Sequence, residues 1–298
     1  MAISTPVGSV LVRAFVAITA LFAASVGAVP EARADNGDRI SVEVVGQGPD
    51  VILVPGYAST REVWRETANT LSARYRVHLV QLAGFGDVPW THGDGPFLQP
   101  AIDELAIYAG TLDRPAYIGH SMGGLMGLKL AQDHPGLLTK VMSVDSLPFY
   151  GSLFSSTATI ESVRPAAEQM RTAILGASDE MFRNQQGMTA VAMTLKEERR
   201  AEIVDASIAS DRQALATAIS ELVVTDLREG LPSMTTPFWA VYALDNFSPY
   251  GAKSAEVWTR EYKALPNVRV EAVQDSRHFI MFDQPERLNA LIDAFLNP

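Results

Sequence analysis

The sequence predicts an α/β fold: a mostly parallel twisted sheet with helices on both faces and an inserted α-helical cap. Three observations carry this expectation. Short apolar runs of strand length alternate with amphipathic runs of helix length, first up to residue 145 and again from residue 234, the pattern of parallel strands joined by crossover helices. Between them, over residues 146–233, the alternation stops and only helical periodicity remains. Finally, Gly119-His120-Ser121-Met122-Gly123 lies where the apolar run 115–118 meets the helix-like run 125–132, so a sharp strand-to-helix turn is expected there.

Residues 40–45 have strand character, 46–49 form a turn, and Val51-Ile52-Leu53-Val54 is a continuous apolar run of the kind a buried strand shows. Residues 60–72 have helical spacing, with Val63, Trp64, Thr67, Ala68 and Leu71 on one face and Thr60 as a cap. A strand follows at 76–82, then a helix at 99–112 with Ile102, Leu105, Ala106 and Ala109 in register, then a strand at 116–119. After the helix behind the pentad closes at His134-Pro135-Gly136, residues 138–144 form a further strand. The inserted region predicts helices over 162–175, 194–208 and 210–224, the last two opened by the pairs Thr194 with Glu197 and Ser210 with Gln213. Alternation resumes with a strand at 237–244, a helix at 254–265, a strand at 268–273 and a helix at 285–296.

The first 34 residues have the character of a signal peptide. Arg13 precedes a charge-free apolar stretch over residues 14–29, and Ala32-Arg33-Ala34 supplies small-x-small ahead of a cleavage point after Ala34. The stretch is short of the about 20 apolar residues a membrane span requires. The expectation is an exported protein, periplasmic or secreted, with no stable membrane insertion once the leader is removed. Residues 35–145 and 234–298 then form the core and 146–233 the cap. With 298 residues, 47% of them hydrophobic, the chain has ample material for one large core. It has no cysteine, so no disulfide supports that core. A formal net charge of −10 argues against nucleic acid or an anionic membrane as partner.

The chemistry concentrates at the pentad. A serine at the tip of a strained strand-to-helix turn needs small residues two positions before and after it, here Gly119 and Gly123, and its hydroxyl then projects above the sheet. Such a hydroxyl becomes a nucleophile only with a histidine to take its proton and an acid to orient that histidine. In this architecture the chain order is serine, acid, histidine. Of the five histidines only His278 lies well downstream of Ser121, in a loop between the strand 268–273 and the helix beginning at Pro285.

Together Val54-Pro55-Gly56-Tyr57, Gly119-His120-Ser121-Met122-Gly123-Gly124, Ala243-Leu244-Asp245 and His278-Phe279 with Asp283-Gln284-Pro285-Glu286 resemble the α/β-hydrolase superfamily, over essentially the whole chain after the leader. The resemblance implies a serine-nucleophile, esterase- or lipase-like enzyme with catalytic Ser121 and His278. It implies Asp245 as the acid, because it ends the strand from which the superfamily usually supplies it, with Asp145 as the alternative from the preceding strand. The oxyanion formed on attack needs two preorganised donors. One is expected at the backbone N–H of Met122, at the start of the helix, and the resemblance assigns the other to Tyr57. The usual His-Gly pair of that loop is here Pro55-Gly56.

Other features favour structural roles. His120 is expected to pack or hydrogen-bond within the turn. Gly84-Phe85-Gly86 lacks the third glycine of a dinucleotide fingerprint, since Pro89 stands in its place. His92-Gly93-Asp94 has no second ligand pair beside it, so no metal is expected, and no cofactor is implied. Met170, Met181, Met188 and Met193 are either core filler or the lining of an adaptable pocket. The expected activity is hydrolysis of a small, largely apolar carboxylic ester or lactone through an acyl-enzyme. The alternatives are an aminopeptidase or amidase of the same fold, with an acid such as Glu161, Glu168, Asp179 or Glu180 holding the substrate amine, and a non-catalytic binding protein.

Overall fold

The computed structural model describes residues 34–35, 38–245 and 251–297. The expected leader lies outside them except for Ala34, which pairs with β2 in the two-residue strand β1 (Ala34–Asp35), so the expected cleavage point falls within a strand. The sheet continues with β2 (Ile40–Val45), β3 (Asp50–Val54), β4 (Arg76–Leu82), β5 (Ala116–His120), β6 (Lys140–Val144), β7 (Phe238–Leu244) and β8 (Arg269–Gln274). Their spatial order is β1-β2-β4-β3-β5-β6-β7-β8, antiparallel where β2 meets β1 and β4 and parallel at every other pairing.

The apolar runs are continuous because both faces of the sheet are covered. In β3, Val51 and Leu53 point to one face, where they pack with α1 (Arg65–Leu71) and α10 (Pro285–Leu296) through residues such as Leu71, Leu288 and Ile292. Ile52 and Val54 point to the other face, toward α2 (Leu98–Gly110) and α3 (Met122–Asp133) through Ile102, Leu105, Leu125 and Leu128. The same alternation recurs in β4, with Val77 and Leu79 on the first face and Val80 and Leu82 on the second. Each fully buried side chain of this kind contributes about 1.5–3 kcal/mol relative to exposure. A slip of one residue would exchange the two faces, so packing on both sides defines the register.

Between β6 and β7 the chain forms α4 (Ile160–Gly176), α5 (Asp179–Met193), α6 (Arg200–Ala209) and α7 (Arg212–Val224). These inserted helices belong to the same compact unit as the sheet, Glu31–Pro298. Three details differ from the sequence expectation. First, α4 begins two residues before Ser162: Thr159 is its cap and Ser162 closes the capping box from inside the first turn. Second, α5 has no counterpart among the expected elements, and Thr194 ends it instead of opening the next helix. Third, α7 is capped by Asp211, which accepts from Gln213 N and Ala214 N, while Ser210 Oγ accepts from Gly86 N and donates to Ala206 O. A side chain with partners on both sides is no longer available to cap.

The chain leaves β3 toward β4 on one side, whereas β5 and its successors lie on the other. That reversal makes a crevice outside the carboxyl ends of β3 and β5, where open α/β sheets hold their ligands. The loops after β3, β5, β6 and β8 turn there through residues of positive φ, namely Ala58 at 54°, Ser121 at 52°, Asp145 at 50° and Asp275 at 52°. Non-glycine residues in this region each cost about 1–3 kcal/mol and cluster at functional sites.

Candidate active site

Ser121 leaves β5 with φ 52° and ψ −121° and stands at the N-cap of α3. Its N–H donates to Val144 O at 2.8 Å, which ties the turn to β6. The turn admits no side chain on either flank. A Cβ on Gly119 would lie 2.2 Å from Gly123 O, and one on Gly123 would lie 2.6 Å from both Val54 O and Pro55 O. Strand, helix and the loop after β3 thus converge on Ser121 at backbone contact.

His278 lies in the loop between β8 and the short helix α9 (Ile280–Asp283). Its Nδ1 meets Asp145 Oδ2 at 2.7 Å, so Nδ1 is the donor, and in the neutral ring the lone pair lies on Nε2. The other carboxylate oxygen of Asp145 accepts from Ala243 N at 2.9 Å, and Asp145 N donates to Val241 O at 2.7 Å, so β7 grips the aspartate from both sides. The pairing expected of Asp245 is therefore made by Asp145. Asp245 instead accepts from Arg277 Nε at 2.9 Å, one residue before the histidine. The physical reason lies in the contacts at the strand ends: Ala243 N–H fixes the Asp145 carboxylate toward His278, while the Asp245 carboxylate is engaged by the Arg277 guanidinium.

His120 is fully buried, and its Nε2 donates to His278 O at 2.9 Å. Burial, reinforced by the neighbouring His278 ring 4.5 Å away, holds its pKa well below the ordinary histidine value, so the ring is neutral. It has the structural role expected of it, and that role supports the backbone of His278.

Met122 and Tyr57, the two expected oxyanion donors, lie in segments that adjoin Ser121. Met122 N–H belongs to the first turn of α3, whose donors have no intrahelical partner. Tyr57 follows Gly56, where a Cβ would lie 2.9 Å from Ser121 Cβ. Among the described residues neither N–H donates to a protein acceptor.

Ser121, His278, Tyr57 and Tyr150 line one cavity of about 420 Å³. Its remaining wall is largely apolar and comes mostly from the inserted helices, with Met170, Met193, Ile203, Ile219, Leu222 and Val223 among its residues. Two of the four methionines singled out above therefore face the cavity, whereas Met181 and Met188 are exposed on the outside. No Asp, Glu, Lys or Arg lines the cavity among the described residues. Glu161, Glu168, Asp179 and Glu180 are all exposed elsewhere on the inserted helices.

A model of the alpha/beta hydrolase family matches residues 51–291, which takes in every one of these loops. The chain belongs to the alpha/beta hydrolase family. This alpha/beta hydrolase is 28% identical over 258 residues to the pimeloyl-[acyl-carrier protein] methyl ester esterase of Aeromonas hydrophila, an alignment covering 86% of this chain and 99% of that protein. Among solved structures it is similar in fold to a thermophilic esterase from Thermogutta terrifontis, with TM-score 0.70, 20% identity and coverage of 86% and 92% of the two chains. It is likewise similar to the enol-lactonase from Burkholderia xenovorans LB400, with TM-score 0.68, 17% identity and coverage of 87% and 96%.

Two further groups support the site of this alpha/beta hydrolase: Tyr150, which carries no sequence motif, and Asp283, which opens the Asp283-Gln284-Pro285-Glu286 run. Tyr150, five residues after Asp145, donates its hydroxyl to Ser146 Oγ at 3.1 Å and also interacts with the Ser121 side chain. Burial pushes its pKa up to about 12 against the pull of both serines, so it remains a proton donor at neutral pH. Asp283 is buried and joins two segments. Its Oδ1 accepts from Thr194 Oγ1 at 2.6 Å and Leu195 N at 2.9 Å, and its Oδ2 from Arg277 N at 2.7 Å. Among the described residues no helix is long and apolar enough to cross a membrane.

Proposed function

We propose that the protein is a serine hydrolase that cleaves a carboxylic ester or lactone of a small, largely apolar substrate through an acyl-enzyme. The observation that carries this reading is the His278–Asp145 bond, which fixes Nδ1 as the donor and so makes Nε2 the basic nitrogen of the neutral ring, in a loop lining the same cavity as Ser121. Ser121 Oγ attacks the carbonyl carbon as His278 Nε2 takes its proton, and the Asp145 carboxylate stabilises the resulting imidazolium without accepting a proton itself. The carbonyl oxygen, now negative, is held by the N–H groups of Met122 and Tyr57. The tetrahedral intermediate collapses, the alcohol leaves with the proton from His278, and water repeats the sequence in reverse to release the acid and free Ser121.

An ester is favoured over an aminoacyl substrate because a free substrate amine would meet no carboxylate among the described residues that line this cavity. The named activities of the relatives, a methyl ester esterase by sequence and an esterase and an enol-lactonase by fold, support the same bond type. The inserted helices act as a cap over the serine, and the apolar N-terminal stretch directs export with cleavage near Ala34. The test is a fluorophosphonate probe with mass spectrometry of the digest, alongside hydrolysis of short aryl esters and aminoacyl arylamides. The expected result is an adduct on Ser121 and turnover of the esters. Labelling at Ser146 in place of Ser121, or turnover of the arylamides alone, would overturn the reading.

A further inference from the structure

On the inserted side of the cavity one polar cluster interrupts the apolar wall. Gln186 and Thr189, one turn apart on α5, and Ser207 on α6 all line the cavity. Ser207 is 2% exposed, and its hydroxyl donates to Gln186 Oε1 at 3.0 Å. A glutamine amide has one oxygen acceptor and one NH2 group carrying two donors. With the oxygen held by Ser207, the Nε2 group is the part left for the cavity, and among the described residues it donates to no protein acceptor.

We propose that the Gln186 amide, locked by Ser207, is a recognition site for a neutral hydrogen-bond acceptor, so that the substrate is an ester carrying a second acceptor oxygen (a carbonyl, an ether or a hydroxyl) away from the scissile bond. The proposal rests on the ester-hydrolase reading and adds the chemical class of the substrate to it. Few polar groups in an otherwise apolar pocket fix ligand orientation. An alkyl chain lying against Gln186 shields Nε2 from solvent and leaves its donors unpaired, whereas a chain with an oxygen there pairs them. A carboxylate at that end is disfavoured, since among the described residues no cation lines the cavity to replace its hydration. A cationic group is disfavoured too, because Gln186 offers it a donor and, among the described residues, no carboxylate lies within the lining.

The experiment compares two esters of one chromogenic alcohol with acyl chains of equal length, one plain alkyl and one with a keto or methoxy oxygen at the distal end. The ratio of their kcat/KM values in a single preparation is independent of the fraction of active enzyme. The wild type is expected to favour the oxygen-bearing ester by about tenfold, the contribution of one hydrogen bond. Gln186→Leu should bring the ratio to about one through KM. The isosteric Gln186→Glu, which replaces donors by acceptors, should bring it below one. A wild-type ratio of about one, or a ratio that both variants leave unchanged, overturns the proposal while the ester reading stands. If the wild type hydrolyses neither ester, the ester reading fails and this inference with it.

Discussion

His278 and Asp145, separated by 133 positions in the chain, meet at 2.7 Å across the carboxyl edge of the sheet. Arg277, the residue before the histidine, turns its guanidinium to Asp245 instead. Two aspartates at the ends of neighbouring strands are thereby given to two neighbouring side chains of one loop. Only Asp145 holds the imidazole, and β7 in turn orients that carboxylate through Ala243 N–H.

Asp145→Asn should therefore lower kcat on an aryl ester by about 10⁴, by analogy with the loss seen when an orienting aspartate is replaced by its amide. Asp245→Asn should lower it far less, since its carboxylate is bound to Arg277 and not to the imidazole. Steady-state kinetics of the two variants decide the matter, and the reverse ranking would return the acid to Asp245.

Tyr150→Phe removes a hydroxyl that acts on both Ser146 and Ser121 while keeping the ring in the cavity wall. A loss of up to about tenfold in kcat/KM, at an unchanged melting temperature, is the expected outcome for one hydrogen bond. An unchanged rate of fluorophosphonate labelling would show that this hydroxyl does not influence the nucleophile.

Gly123→Ala tests the convergence of three elements on the turn. Its methyl group meets two backbone carbonyls, which have no flexible end to give way. The expected stability loss is about 1–3 kcal/mol. Displacement of the loop that carries Tyr57 should also lower kcat by about 10² to 10³. Thermal melting and kinetics on the same preparation separate the two effects.

His120 and His78 are held below the ordinary histidine pKa chiefly by burial, His78 despite its hydrogen bond to Asp50 at 2.8 Å. A depressed pKa in the folded state means that the unfolded chain binds more protons as the pH falls below about 6.5. Stability is therefore fully present above that value. It should decline on acidification, by up to about 1.4 kcal/mol per pH unit for each histidine still neutral in the folded state. Melting temperatures measured from pH 8 to pH 5 should fall in this direction, and a flat profile would mean that neither ring is held neutral.

Much of the architecture was legible because parallel strands covered on both faces leave continuous apolar runs, as in Val51-Ile52-Leu53-Val54, and because the tight turn at Ser121 demands Gly119 and Gly123. The acid was less legible. Asp145 and Asp245 both follow an apolar strand, and the partner is decided by long-range contacts, Ala243 N–H on Asp145 and Arg277 on Asp245, which no local pattern records. Helix α5 was missed for a related reason. Gln186 and Thr189 turn toward a polar part of the cavity while Met181, Met188 and Val191 face outward, so no single apolar stripe marks it. Tyr150 has no motif at all, since its role depends on where the turn after Phe149 directs its ring.

The links between the end of α5 and the histidine loop bear on how the cavity can open. Asp283 accepts from Leu195 N and Arg277 N, Phe279 N donates to Met193 O at 3.0 Å, and Arg277 Nη1 donates to Val191 O at 2.5 Å. Segments sharing this many bonds unfold locally as one cooperative unit. In deuterium exchange the amides of Leu195, Arg277 and Phe279 should therefore have a common opening free energy. Leu153 and Phe154 have none of these links, and they line the cavity while remaining more than half exposed, so the cavity meets solvent at these two side chains.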